Sequence, residues 1–128
     1  MSGPEKRRLH CGPSWMLREG MVVRVPILPT PWFEDPEIGR VKVHGGLIVA
    51  RKGGRAIAYL NLCRHVPLSL DLGDGELLSA DKTRLLCHHH GARYRIEDGV
   101  CDYGPCEGER LIPAAVDERD GELWVEVP

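Results

Sequence analysis

Cys63-Arg64-His65 and Cys87-His88-His89-His90-Gly91 each place one thiol and one imidazole in ligand position, with twenty-one residues, Val66 to Leu86, between them. Residues i and i+2 of an extended or turning backbone point to one side, so Cys63 and His65 face the same space. Cys87 and His90, three apart, do the same around a tight turn. Gly91 has no Cβ, which lets the chain bend or approach a cofactor closely just after that pair. One thiolate and one imidazole from each of two loops suit an iron–sulfur cluster whose two irons differ in their ligands. Zinc also accepts a Cys2His2 set, although its usual spacing opens with two cysteines, whereas each loop here is mixed. His88 or His89 can stand in for His90. The spacing and the following glycine favour His90, leaving the other two to solvent or to backbone partners.

Outward from these loops the chain reads as short strands broken by glycine turns. Gly46 to Ala50 and Arg55 to Leu60 flank Lys52-Gly53-Gly54, a hairpin signal. Arg84 to Cys87 and Ala92 to Glu97 are short runs around the second pair. Asp98-Gly99 and Asp120-Gly121 mark further turns, and Glu122 to Val127 alternates with period two as a half-buried strand does. Met21 to Val25 is β-branched and reads as a strand buried on two sides. No window holds a helical stripe longer than two turns. The expected fold is all-β, a sandwich or partial barrel of stacked antiparallel sheets, with a subdomain of two hairpin loops at about 60–113.

The four prolines between Pro26 and Pro36 exclude a central strand, so this stretch, with Trp32 and Phe33, reads as an ordered surface loop whose aromatics pack on the sheet. Residues 1–12 read as a flexible tail and 13–128 as a single domain. With 17 basic and 19 acidic side chains the net charge is −2, which points away from nucleic acid. No segment reaches the roughly 18 apolar residues of a membrane span, and the start lacks the apolar core of an export signal. The expected location is the cytoplasm. Five cysteines cannot all pair, and in a reducing compartment the Cys/His clustering reads as metal binding. Cys11 reads as a free thiol, and Cys101 and Cys106 as buried thiols, with a bridge between them, or from Cys106 to Cys11, open under oxidation. Arg64 and Arg93 read as solvated surface arginines.

Cys-x-His, a spacer, Cys-x-x-His-Gly and then Gly104-Pro105-Cys106, in that order, resemble the Rieske 2Fe-2S proteins. The likeness is strong over about Leu60 to Pro113, and Asn61, Gly91-Ala92-Arg93-Tyr94 and Asp98-Gly99 add to it. It implies that Cys63 and Cys87 bind one iron and His65 and His90 the other. The imidazoles would then be the exposed edge through which an electron leaves. The stretch around Gly104, Pro105 and Cys106 would form a lid that shields the cluster sulfurs. The high-potential branch carries two further cysteines in a disulfide, where this chain has Leu68 and His89, and a serine where it has Ala92. Tyr94 keeps the aromatic position whose hydroxyl bonds a ligand sulfur. Fewer hydrogen bonds to sulfur disfavour the reduced cluster, so the expected potential is low in the family range, roughly −150 to 0 mV.

Rieske oxygenases add a domain with a mononuclear iron on two histidines and a carboxylate. Only about twenty residues follow the lid here, none of them histidine. The chain therefore resembles the stand-alone ferredoxin branch: not catalytic by itself, receiving electrons from a flavoprotein reductase and passing them to an oxygenase or reductase. Val66, Pro67 and Leu68 form the candidate docking rim. The alternatives are a small subunit of a larger reductase, such as a nitrite reductase, and a zinc-stapled binding module.

Overall fold

The computed structural model describes residues 7–36, 39–64 and 66–128. Twelve strands carry almost all the regular structure: β1 (Arg7–Pro13), β2 (Val22–Val25), β3 (Trp32–Asp35), β4 (Gly39–Lys42), β5 (Leu47–Lys52), β6 (Arg55–Leu60), β7 (Arg84–Leu86), β8 (Arg93–Arg95), β9 (Cys101–Tyr103), β10 (Pro113–Ala114), β11 (Val116–Arg119) and β12 (Glu122–Val127). They form a sheet ordered β10-β6-β5-β2, a sheet β1-β12-β11, a smaller sheet β7-β8-β9 and a ribbon β3-β4. Among the described residues every strand pairing is antiparallel. Among the described residues no helix is long and apolar enough to cross a membrane.

The sheet containing β5 and β6 is the middle layer. Leu47, Val49, Ala58 and Leu60 point into a core shared with Leu123, Val125 and Val127 of β12. Ile48, Ala50 and Tyr59 point the other way, into a core shared with the β7-β8-β9 sheet and its loops. Burial on both faces explains why β5 is continuously apolar from Leu47 to Ala50, while β12, which shows one face to solvent, alternates. Gly53 and Gly54 between β5 and β6 both have positive φ, 63° and 79°, the geometry of a two-residue hairpin turn matching strand twist. Asp120 and Gly121 repeat it between β11 and β12, at 54° and 74°.

Three expectations are corrected. The flexible tail does not extend to residue 12: Arg7–Pro13 pair with β12 and close the edge of its sheet, while residues 1–6 lie outside the described residues. The proline-rich stretch is not all loop, because Trp32–Asp35 pair with Gly39–Lys42. All its prolines lie outside those four residues, so no ladder donor is missing. Trp32 faces solvent, with the Arg40 guanidinium 4.3 Å from its ring centre, while Phe33 packs against the second core. Finally, Val22–Val25 is half-buried at the edge of its sheet rather than covered on both sides.

Candidate metal centre

Both ligand loops grow from strands of the first core and are tied to each other. After β6 the chain turns at Asn61, whose buried side-chain amide donates to the Gly45 carbonyl (3.1 Å) and to Asp71 Oδ1 (2.9 Å) and accepts from the Leu70 amide (2.8 Å). A Cβ on Gly45 would stand 2.6 Å from the Asn61 carbonyl oxygen, so only glycine lets the loop sit here. The Cys63 amide donates to Leu68 O (2.7 Å), folding the first loop back on itself. In the second loop the Cys87 amide donates to Ala92 O (2.8 Å) and the Gly91 amide to Cys87 O (2.9 Å), a turn closed with Gly91 at φ 76°. The His88 amide donates to Leu70 O (2.9 Å) and locks the loops together.

The consequence is that Cys63 and Cys87 come together, both about 1% exposed, with their thiols close enough to interact. The interaction with Cys63 and burial push the Cys87 thiol far above its usual range. Two thiolates there need a countercharge, which a soft metal supplies, so the donor set fits the group that its chemistry calls for. His90 stands exposed at the tip of the second loop. His65 lies outside the described residues. His88 and His89 are bonded to backbone, their Nε2 atoms 2.9 Å from Glu76 O and 3.1 Å from Ser69 O.

Tyr94 is fully buried beneath the two cysteines. Its hydroxyl accepts the Arg64 amide hydrogen at 2.9 Å and lies 3.4 Å from Cys63 Sγ and 3.0 Å from Cys106 Sγ. Burial, then the bonds to Cys106 and Cys63, push its pKa up, so the phenol stays neutral. The lid closes over this group. Gly104 has φ 105°, and a Cβ there would stand 2.8 Å from Ala92 Cα. Gly104→Ala is therefore expected to displace the lid and to cost about 1–3 kcal/mol. Chemical unfolding checks it, and an unchanged midpoint would show that the lid does not press on Ala92.

Arg64 corrects another expectation. It is not a solvated arginine: its side chain is 11% exposed and its Nη1 pairs with Asp35 Oδ2 at the end of β3, with Glu109 of the lid 3.9 Å from Nε. The ribbon β3-β4 thus holds the ligand loop through a buried ion pair that sequence reading missed. Arg93 is exposed, 5.1 Å from the Tyr103 ring centre, as expected of a surface residue. On the rim Pro67 and Leu68 are exposed and Val66 is half-buried; Leu72, not singled out from sequence, is 66% exposed on the same segment.

Asp71 anchors this segment. Arg24 (2.6 Å), Asn61 and the Gly75 amide (2.8 Å) all donate to its carboxylate. Burial alone would raise its pKa, but those bonds outweigh it and the net shift is downward. A depressed carboxylate stabilises the fold fully above the ordinary range near about 4 and loses that contribution as pH falls through its folded-state value. Urea midpoints are therefore expected to fall from pH 5 towards pH 3 more steeply than in Asp71→Asn, and parallel profiles would contradict this role.

A family model for the Rieske [2Fe-2S] domain matches residues 16–118. No curated protein is similar in sequence at a significant level. Among solved structures, a chain from the complex of reduced oxygenase and oxidised ferredoxin in carbazole 1,9a-dioxygenase superposes with a TM-score of 0.65 at 22% identity, over 93% of this chain and 92% of that one. A chain from the reduced complex between oxygenase and ferredoxin of carbazole 1,9a-dioxygenase gives 0.66 at 20% identity, over 92% of this chain but 27% of that one. The terminal oxygenase of carbazole 1,9a-dioxygenase from Novosphingobium sp. KA1 gives 0.67 at 20% identity, over 94% and 29%. This chain thus spans nearly all of the first and under a third of the others, and at these identities the likeness is one of fold. The match over most of the chain places this protein in the Rieske [2Fe-2S] domain family, and its prosthetic group is a Rieske-type 2Fe-2S cluster.

Proposed function

We propose that Cys63, His65, Cys87 and His90 hold the 2Fe-2S cluster and that the protein is a Rieske ferredoxin delivering electrons to an oxygenase. The observation that carries this reading is the meeting of Cys63 and Cys87, both buried where two interlocked loops come together, with His90 exposed on the second loop. A bound 2Fe-2S cluster supplies a one-electron couple. The protein's own residues do the rest. Cys63 and Cys87 keep the sulfur side dry, the lid around Gly104, Pro105 and Cys106 covers it, and the exposed imidazole edge gives a partner close approach. Pro67, Leu68 and Leu72 form an apolar rim suited to the small, short-lived interfaces of redox encounters.

The resemblance in length to a whole chain of an oxygenase–ferredoxin complex supports an oxygenase as acceptor. A flavoprotein reductase fits as donor, in a reducing cytoplasm, and the chain works without catalytic residues of its own. Anaerobic mixing of the dithionite-reduced, desalted protein with cytochrome c tests the carrier function. One cytochrome reduced per cluster is expected, and none would overturn it. With Ala92 offering no hydroxyl, the midpoint potential is expected at roughly −150 to 0 mV. A value above about +200 mV would contradict that account of the cluster's hydrogen bonds.

A further inference from the structure

Beneath the ligand sulfurs lies a chain of four polar groups that electron delivery alone does not require. The Cys101 thiol donates to Tyr103 O at 3.2 Å, and the Cys106 thiol donates to Cys101 Sγ at 3.2 Å. Cys106 Sγ lies 3.0 Å from the Tyr94 hydroxyl, and that hydroxyl lies 3.4 Å from Cys63 Sγ. Cys101, Cys106 and Tyr94 each have one proton, and Cys63, as a ligand thiolate, only accepts. With Cys101 committed to Tyr103 O and Cys106 to Cys101, the only proton available between Tyr94 and Cys106 is that of the phenol. The Arg64 amide already donates to the phenol oxygen, which fixes the hydroxyl in place between its two sulfur acceptors. Tyr94 can serve Cys106 or Cys63 with its proton, and Cys106 is the nearer.

We propose that Cys101 and Cys106 are a redox-responsive dithiol that sets the cluster's potential by competing with Cys63 for the Tyr94 proton. The proposal rests on the assignment of Cys63 as a cluster ligand. The two sulfurs are adjacent, in one lid turn closed by the Cys101 amide to Glu109 O (2.8 Å) and the Gly108 amide to Cys101 O (2.8 Å). Bridging them draws together sulfurs already in contact. The oxidant is a low-molecular-weight disulfide. One cysteine attacks it to form a mixed disulfide and releases one thiol; the other cysteine then attacks, forming the Cys101–Cys106 bond and releasing the second thiol. Two protons and two electrons leave the dithiol, and both appear in the two small thiols. Cys106 is 5% exposed between the exposed Pro105 and Glu107, and burial pushes its thiol pKa up to about 12, so exchange at neutral pH is slow.

The sign of the effect follows. A disulfide sulfur is a poorer acceptor than a thiol, so bridging releases the Tyr94 proton to Cys63. A hydrogen bond to a ligand sulfur favours the reduced, more negative cluster, so the potential rises. Oxidising conditions would make the carrier a weaker reductant and withhold electrons from its acceptor.

The test takes the cluster-loaded protein through oxidised glutathione, follows free thiols by alkylation and peptide mass, and measures the potential by spectroelectrochemistry. The expected result is loss of two thiols in a 101–106 bridge, an upward shift in potential, and reversal by dithiothreitol. Without oxidant, Cys106→Ala should show the raised potential, since alanine accepts nothing, while Cys106→Ser should stay near the wild type. Neither should respond to glutathione. A bridge that forms without raising the potential, a pair that stays reduced, or a Cys106→Ala potential at or below the wild type would overturn the proposal. Absence of a 2Fe-2S signal before any oxidant would overturn the ligand assignment instead.

Discussion

Cys87→Ala is expected to remove the cluster outright, taking iron from about two per chain to near zero and abolishing the visible absorption. Cys87 is one of two buried thiols that meet between the loops, and among the described residues no other sulfur stands ready to replace it. Cys106 is occupied with Tyr94 and Cys101, Cys101 lies one step further away, and Cys11 sits in the second core, on the far side of the middle sheet. Cys63→Ala should behave alike. Cys11→Ser is the control and should retain full iron. Because Cys87 also fills core volume, alanine leaves a small void, so circular dichroism must accompany the iron assay. A folded, iron-free variant is the expected outcome, whereas Cys87→Ala with normal iron would remove Cys87 from the ligand set.

The second large effect is on stability. Asp35→Ala is expected to cost about 3–5 kcal/mol, because it removes one partner of a buried charge pair and leaves the Arg64 guanidinium less compensated where water scarcely reaches it. Asp35 is 1% exposed at its side chain and Arg64 11%, so solvent screens the pair little. Glu109 is farther off and more exposed, and it compensates poorly. For a domain of this size such a loss lowers the melting temperature by roughly 10 °C or more. Asp35→Ala combined with Arg64→Met should recover much of it, since both charges of the pair are then removed together. A single-variant cost below about 1 kcal/mol would show the pair to be solvent-screened. The pairing also matters for charge near the cluster: a neutralised Arg64 adds little positive potential beside the ligand sulfurs.

What the sequence disclosed was what short-range chemistry writes into it. Gly53-Gly54 and Asp120-Gly121 announced their hairpins because only such residues accept positive φ cheaply, and β12 announced itself by its period. The approach of Cys63 to Cys87 was legible because loop spacing is local, and the place of Tyr94 beside Cys63 because it follows the motif at a fixed distance. The features that escaped depend on partners far along the chain. β1 reads as a polar tail until Val125 and Val127 of β12 give it a surface to pair with. Arg64 looks like any exposed arginine until Asp35, twenty-nine residues earlier, is folded against it. Trp32–Asp35 is hidden among prolines, and only its pairing with Gly39–Lys42 marks it as a strand. The 3.2 Å approach of Cys101 and Cys106 depends on how the lid turn closes, which their five-residue separation alone does not dictate.

Low-temperature electron paramagnetic resonance of the purified protein, before and after dithionite, tests the central claim most directly. The account predicts silence in the oxidised state and, on reduction, a rhombic signal of low average g with nitrogen couplings from two imidazoles, lost in His90→Ala. Silence in both states with one zinc per chain, or a reduced signal without nitrogen coupling, would contradict a cluster held by two cysteines and two histidines.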